Sequence, residues 1–106
     1  MIRAEFFTFP GGADAGFRIS GHAGAGAAGS DPVCAAVSSA AYLTVNTITD
    51  VIGAKASAHA KDGCMECRIV PGEAASCAVV LKGLKLHLTA LQRQYPKNIQ
   101  IFKTEV

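Results

Sequence analysis

A cysteine becomes a nucleophile when its surroundings hold the thiolate and a neighbouring base takes the proton. The segment around Cys34 offers both. Asp31-Pro32 is a helix-start signal, because Asp caps a helix through its side chain and Pro suits the first helical position. Counted from that cap, Pro32 is N1, Val33 is N2 and Cys34 is N3. The first helical turn has unpaired backbone N–H groups and a partial positive charge, which favour a thiolate at Cys34. His22 stands twelve residues upstream, near the head of a segment, 21–30, in which four of the ten residues are glycine. Closing so short a loop costs only a few kcal/mol, so the imidazole can fold back as the general base of an acyl transfer. Backbone N–H groups at Gly21, Gly24 and Gly29, with the helix start, are candidates for an oxyanion site. Ser38 lies one turn after Cys34 on the same helix side, either bonded to the carbonyl four residues back or part of the site.

The other reactive side chains are less telling. Cys64-Met65-Glu66-Cys67 has the spacing of zinc and redox pairs, but those pairs sit at turns or helix starts, where the sulfurs converge. Here the pair falls in a predicted strand, where residues three apart point to opposite faces. No second pair accompanies it, so no metal or cofactor is expected; a metal or redox protein using Cys64, Cys67 and Cys77 is the weaker rival. His59 faces Glu66 in an expected hairpin, an ordinary cross-strand pair. His87 falls at the rim of a helix's apolar face, where a half-buried histidine is common.

These residues need elements to position them. Residues 2–9 alternate with period two, Ile2, Ala4, Phe6 and Thr8 sharing one face, which reads as a strand. Residues 10–14 are turn chemistry, and a second strand resumes over 17–20. A helix is predicted over 32–52, with Val33, Val37, Ala40, Thr44, Ile48 and Val51 as its buried stripe and Gly53 as its C-cap. Strands over 56–61 and 64–70 flank the turn Asp62-Gly63, which sets Lys61 opposite Cys64 and Ala60 opposite Met65. A second helix over 73–95 carries Cys77, Val80, Leu81, Leu84, Leu88 and Leu91 inward, and 99–103 forms a last strand. The expectation is an α+β domain over 1–106, ordered β-β-α-β-β-α-β, with two helices packed on a five-stranded mixed sheet. Val79, Leu86 and Ala90 make a second apolar stripe on the far side of the later helix, which favours a homodimer.

The stretch Gly21-His22-Ala23-Gly24, then Gly29, Asp31 and Val33-Cys34-Ala35-Ala36-Val37-Ser38, resembles the signature of the ribosomal-processing cysteine proteases. The order of strands and helices is similar over essentially the whole chain. The resemblance implies that His22 is the general base and Cys34 the nucleophile, and that Asp31 and Ser38 belong to the site. It also implies a thiol endopeptidase that removes the N-terminal extension of large-subunit ribosomal protein twenty-seven, cutting in an aromatic-containing segment, and a homodimer. The sequence departs from the family's pattern in two ways. Ala25, Gly26, Ala27 and Ala28 stand where bulky or charged residues are common, and Pro32 replaces an aliphatic residue. A non-catalytic ribosome-associated binding module of the same fold is the alternative.

Composition bounds the rest. A chain of 106 residues fits one domain, and half of its residues are apolar, which excludes disorder. The net charge of +2 comes from ten Lys and Arg scattered among eight acids, so direct nucleic-acid binding is not the leading expectation. No transmembrane span or membrane partner is expected, because no apolar stretch approaches the ~20 residues a bilayer needs, and no secretory signal pattern opens the sequence. The expected setting is a reducing cytoplasm, where the four cysteines remain thiols.

Overall fold

A computed structural model describes residues 1–22 and 31–106. Strands β1 (Ile2–Thr8) and β2 (Asp14–Ser20) precede helix α1 (Pro32–Asn46), which runs on as a π-helical segment, Thr47–Ile52. Strands β3 (Ala56–Lys61) and β4 (Cys64–Ile69) follow, then a 3₁₀ turn at Pro71–Glu73, helix α2 (Ala74–Gln94) and strand β5 (Ile99–Glu105). The two helices pack on a five-stranded mixed sheet, as the order of elements led one to expect. Its strand order is β3-β4-β2-β1-β5. β1 pairs parallel with β5 and antiparallel with β2, and β4 pairs antiparallel with both β2 and β3.

Period two decides what the sheet buries. Ile2, Ala4 and Phe6 of β1, Phe17 of β2, and Met65, Cys67 and Ile69 of β4 all enter one core, with Val33, Val37, Ala41 and Ile48 from the first helix. α2 adds Cys77, Leu81, Leu84 and Leu88, at helical spacing. The Asp62-Gly63 register holds as expected, with Lys61 opposite Cys64, Ala60 opposite Met65 and His59 opposite Glu66. Gly63 takes φ +74 in that turn.

Some boundaries differ from the sequence reading. β2 begins at Asp14 because its first residues pair with Phe7 and Thr8 of β1 across an irregular register. Val51 is 79% exposed instead of lying on the buried stripe. The π-helical turn takes about one residue more than an α-turn, so the stripe passes from Ile48 to the half-buried Ile52. Gly53 then closes the helix in the left-handed region, with its N–H on the Ile48 carbonyl. His87 is exposed, because α2 turns its inner side, through Leu84 and Leu88, to the sheet.

The membrane expectation also needs correction. By length and composition the segment Pro71–Gln94 is long and apolar enough to cross a bilayer, because mean hydropathy tolerates the few charges that interrupt its apolar runs. In the fold its inner side is core, and Lys82 pairs with Asp14 at 2.8 Å.

Candidate active site

Asp31 is the N-cap of α1, in extended conformation, and its Oδ1 accepts hydrogen bonds from the N–H groups of Val33 and Cys34, each 3.0 Å long. The Asp31 carbonyl accepts from Ala35 N–H at 3.0 Å, the first bond of the helix. This cap fixes Cys34 at N3, as the sequence count requires. Its thiol is half-buried and packs against the edge of the core. The Val33 and Cys34 N–H groups are engaged by Asp31, so the helix start is not an open pair of oxyanion donors, contrary to the sequence expectation.

His22 comes from the other side. Gly21 follows β2 at φ +87, and its N–H donates to the Gly63 carbonyl at 2.9 Å. A Cβ at Gly21 would lie 2.4 Å from the Met1 carbonyl oxygen, so only glycine fits there. The Met1 nitrogen donates to the His22 carbonyl. The exposed imidazole sits over the hairpin tip, its Nε2 3.6 Å from where a Cβ on Gly63 would stand. The residue is thus held at its backbone by Met1 and, through Gly21, by the β3–β4 turn, while its ring remains on the surface.

One cleft of about 380 Å³ joins these parts. Gly21 and His22 line it with Cys34 and Ser38 of α1, and its far wall is the hairpin tip from Ala60 to Met65. Ile19, Ala41 and Tyr42 supply the apolar lining. The structure therefore gathers Gly21, His22, Cys34 and Ser38 at one place, with Asp31 as the cap beneath. Gly24 and Gly29 lie outside the described residues. A larger hollow of about 570 Å³ between α1 and α2 carries Ser39 and His87 but no cysteine. The hairpin wall is what sequence reasoning missed: the Asp62-Gly63 turn was legible, but not the strand order that brings it beside His22.

The other cysteines are placed differently. Cys64 is exposed on the sheet's outer face and Cys67 is fully buried on the inner one, so the pair cannot converge on a metal. Burial, and then the neighbouring Cys77, push the Cys67 thiol up to about 11. Among the described residues no three His, Cys, Asp or Glu gather as a metal site. His59 shares a 3.0 Å hydrogen bond with Ser57.

A family model, cysteine protease Prp, matches residues 1–100. The chain belongs to the cysteine protease Prp family. Solved structures share the fold. The essential ribosomal processing protease Prp from S. aureus, in complex with a covalently linked product peptide, superimposes with TM-score 0.89 at 24% identity, covering 97% of this chain and 99% of that one. The same protease with a substrate peptide gives 0.84 at 23% identity over the same shares. A Streptococcus mutans protein gives 0.81 at 24% identity, covering 100% of this chain and 96% of that one. Comparison with curated proteins gives no match. The chain is thus a cysteine protease of the Prp family, and the two helices on a five-stranded sheet are the Prp fold.

Proposed function

We propose that this protein is an endopeptidase acting through a Cys34–His22 dyad, and that it removes the N-terminal extension of large-subunit ribosomal protein twenty-seven. The observation that carries the reading is the shared cleft: the half-buried Cys34 at the start of α1 and His22 after β2 both line it. His22 takes the proton from Cys34, and the thiolate attacks the scissile carbonyl carbon. The carbon–nitrogen bond breaks, the leaving amine takes the proton from His22, and an acyl-enzyme remains. Water, giving its proton to the same imidazole, then attacks the acyl carbon; the carbon–sulfur bond breaks, the acid leaves and the imidazolium returns the proton to the Cys34 sulfur. Asp31 aims the first turn of α1, and Ser38 stands beside the thiol in the cleft. With the Val33 and Cys34 N–H groups held by Asp31, oxyanion donors fall to the glycine segment, including Gly24 and Gly29.

The S. aureus relative has been seen with substrate and product peptides, which supports a peptide from a ribosomal protein as the substrate class here. The exposed Val79 and Leu86 of α2 support a homodimer, and the reading assigns the protein to the cytoplasm, where ribosomes are assembled. The test is intact-mass analysis of the full-length ribosomal protein after mixing with this chain or with Cys34→Ala. One N-terminal cut made only by the native cysteine is the expected result. Undiminished cleavage by Cys34→Ala would sink the dyad, and no cleavage by either would point to a different substrate or to the non-catalytic alternative.

A further inference from the structure

The sheet face opposite the helices is uncovered, and strand alternation concentrates charge on it. Arg3, Arg18, Lys61 and Arg68 all point to this side, against Glu5 and Glu66. Four cations less two acids leave +2, which equals the net charge of the whole chain, so the remaining surface sums to zero. The two acids are already engaged. Glu66 accepts from Arg18 Nε at 3.0 Å and from Arg68 Nε at 3.2 Å, and Glu5 accepts from the Thr104 hydroxyl at 2.6 Å. Arg3 and Lys61 make no ion pair among the described residues.

Aromatic rings lie under the same guanidinium groups. Arg3 stands over Phe102, 4.8 Å from the ring centre, and Arg68 over Phe7 at 4.1 Å. Arg18 divides two hollows of about 360 and 340 Å³, one bounded by Arg3 and Phe102, the other by His59 and Lys61. Cations spaced across neighbouring strands, with guanidinium planes and the half-buried Phe102 ring between them, match a single-stranded nucleic acid, which presents phosphates and unstacked bases together. A second copy of this chain would bring the same positive charge to the contact and be repelled. An acidic protein segment would use the cations but leave the stacking planes without a purpose.

We propose that the helix-free face binds single-stranded RNA, with phosphates at Arg3, Lys61 and the Arg18–Arg68 pair and a base stacked at Arg3 and Phe102. The inference goes beyond the protease reading and does not depend on it: Lys61 and Cys64 at the hairpin tip border both the cleft and this face, whereas Arg3, Arg18, Arg68 and Phe102 stand outside the cleft lining.

The experiment is fluorescence anisotropy of a labelled oligouridylate with the full chain, over a range of salt, beside a peptide-cleavage assay on the same samples. Contacts to three or four phosphates give a slope of log affinity on log salt of about −2 to −3. Arg3→Glu should flatten that slope by about 0.7 or more. Phe102→Ala should weaken binding about five- to hundredfold with the slope unchanged. Both variants should keep native melting and peptide cleavage, and Arg3→Gln substitutes if Arg3→Glu does not fold. Cleavage without RNA binding overturns this inference and leaves the protease reading standing; RNA binding without cleavage does the reverse. A salt slope unmoved by Arg3→Glu, or poly-glutamate competing as well as RNA, also overturns it.

Discussion

Replacing Asp31 separates two roles that the sequence places on one side chain. Its Oδ1 holds two N–H groups of the first turn, both at 3.0 Å. Loss of an N-cap of this kind costs about 1 kcal/mol, within a range of about 0.5–2. An unfolding entropy of about 2.1 cal/mol/K per residue gives this chain about 0.22 kcal/mol/K, so Asp31→Ala should lower Tm by about 4–5 °C. Asp31→Asn keeps an acceptor for the same N–H groups and loses only the charge at the helix start, about 0.3–1 kcal/mol, so its Tm should fall by about 1–5 °C. Calorimetry reads both shifts, and kcat/KM on the peptide substrate is measured well below both melting points. If Asp31 acts as a cap alone, Asp31→Asn cleaves nearly as fast as the parent. If it also orients His22, Asp31→Asn melts within those few degrees of the parent but loses kcat. An Asp31→Ala variant with unaltered Tm would refute the energetic reasoning, since two well-formed hydrogen bonds would then contribute nothing.

Gly21→Ala should cost at least about 1–2 kcal/mol from its positive φ alone, and its Cβ would press on the Met1 carbonyl 2.4 Å away. Because that contact anchors His22, cleavage should fall further than melting, which kcat/KM and calorimetry on one sample will distinguish. Brief alkylation of the native protein at neutral pH should modify Cys34 and Cys64 and spare the buried Cys67 and Cys77, with all four modified after unfolding, as read by peptide mass mapping. Partial burial pushes the Glu66 carboxyl up, but hydrogen bonds from Arg18 and Arg68 outweigh it and hold it below its usual value. A depressed folded value means stability present above about pH 4.3 and lost as pH falls through the folded value, so Glu66→Gln should melt lower than the parent at neutral pH and converge with it in acid.

Local features were legible because local physics sets them. The Asp31-Pro32 start, the Asp62-Gly63 register and the inward residues of α2 each follow from a few neighbouring side chains. The π-helical turn at Thr47–Ile52 was not, since nothing in its apolar spacing distinguishes it from an α-turn, and it moved Val51 out of the core. Strand order was not legible either. β1 is flanked by its hairpin partner β2 and by β5 from the far end of the chain, a pairing no short-range pattern encodes. His22 and Cys34 could be singled out because both flank one short segment; the hairpin wall that lines the cleft with them could not.

That same non-local pairing accounts for both surfaces on which function is placed here. Helices pack about 8–10 Å apart and strands about 4.8 Å apart, so two helices cover about four strands. The fifth, β3, is left at the edge with Ala58 and Ala60 exposed on the helix side. The uncovered strip beside α1 is the cleft lined by Cys34 and the hairpin tip, so the candidate active site occupies the margin that the helix layer cannot fill. On the opposite face, residues 3, 18, 61 and 68 look scattered along the sequence, yet the order β3-β4-β2-β1 makes them neighbours. A charge count along the chain underestimates such a patch, because it averages over residues that alternation sends to the core. The sheet performs the sorting, and a modest net charge of +2 becomes a single cationic face.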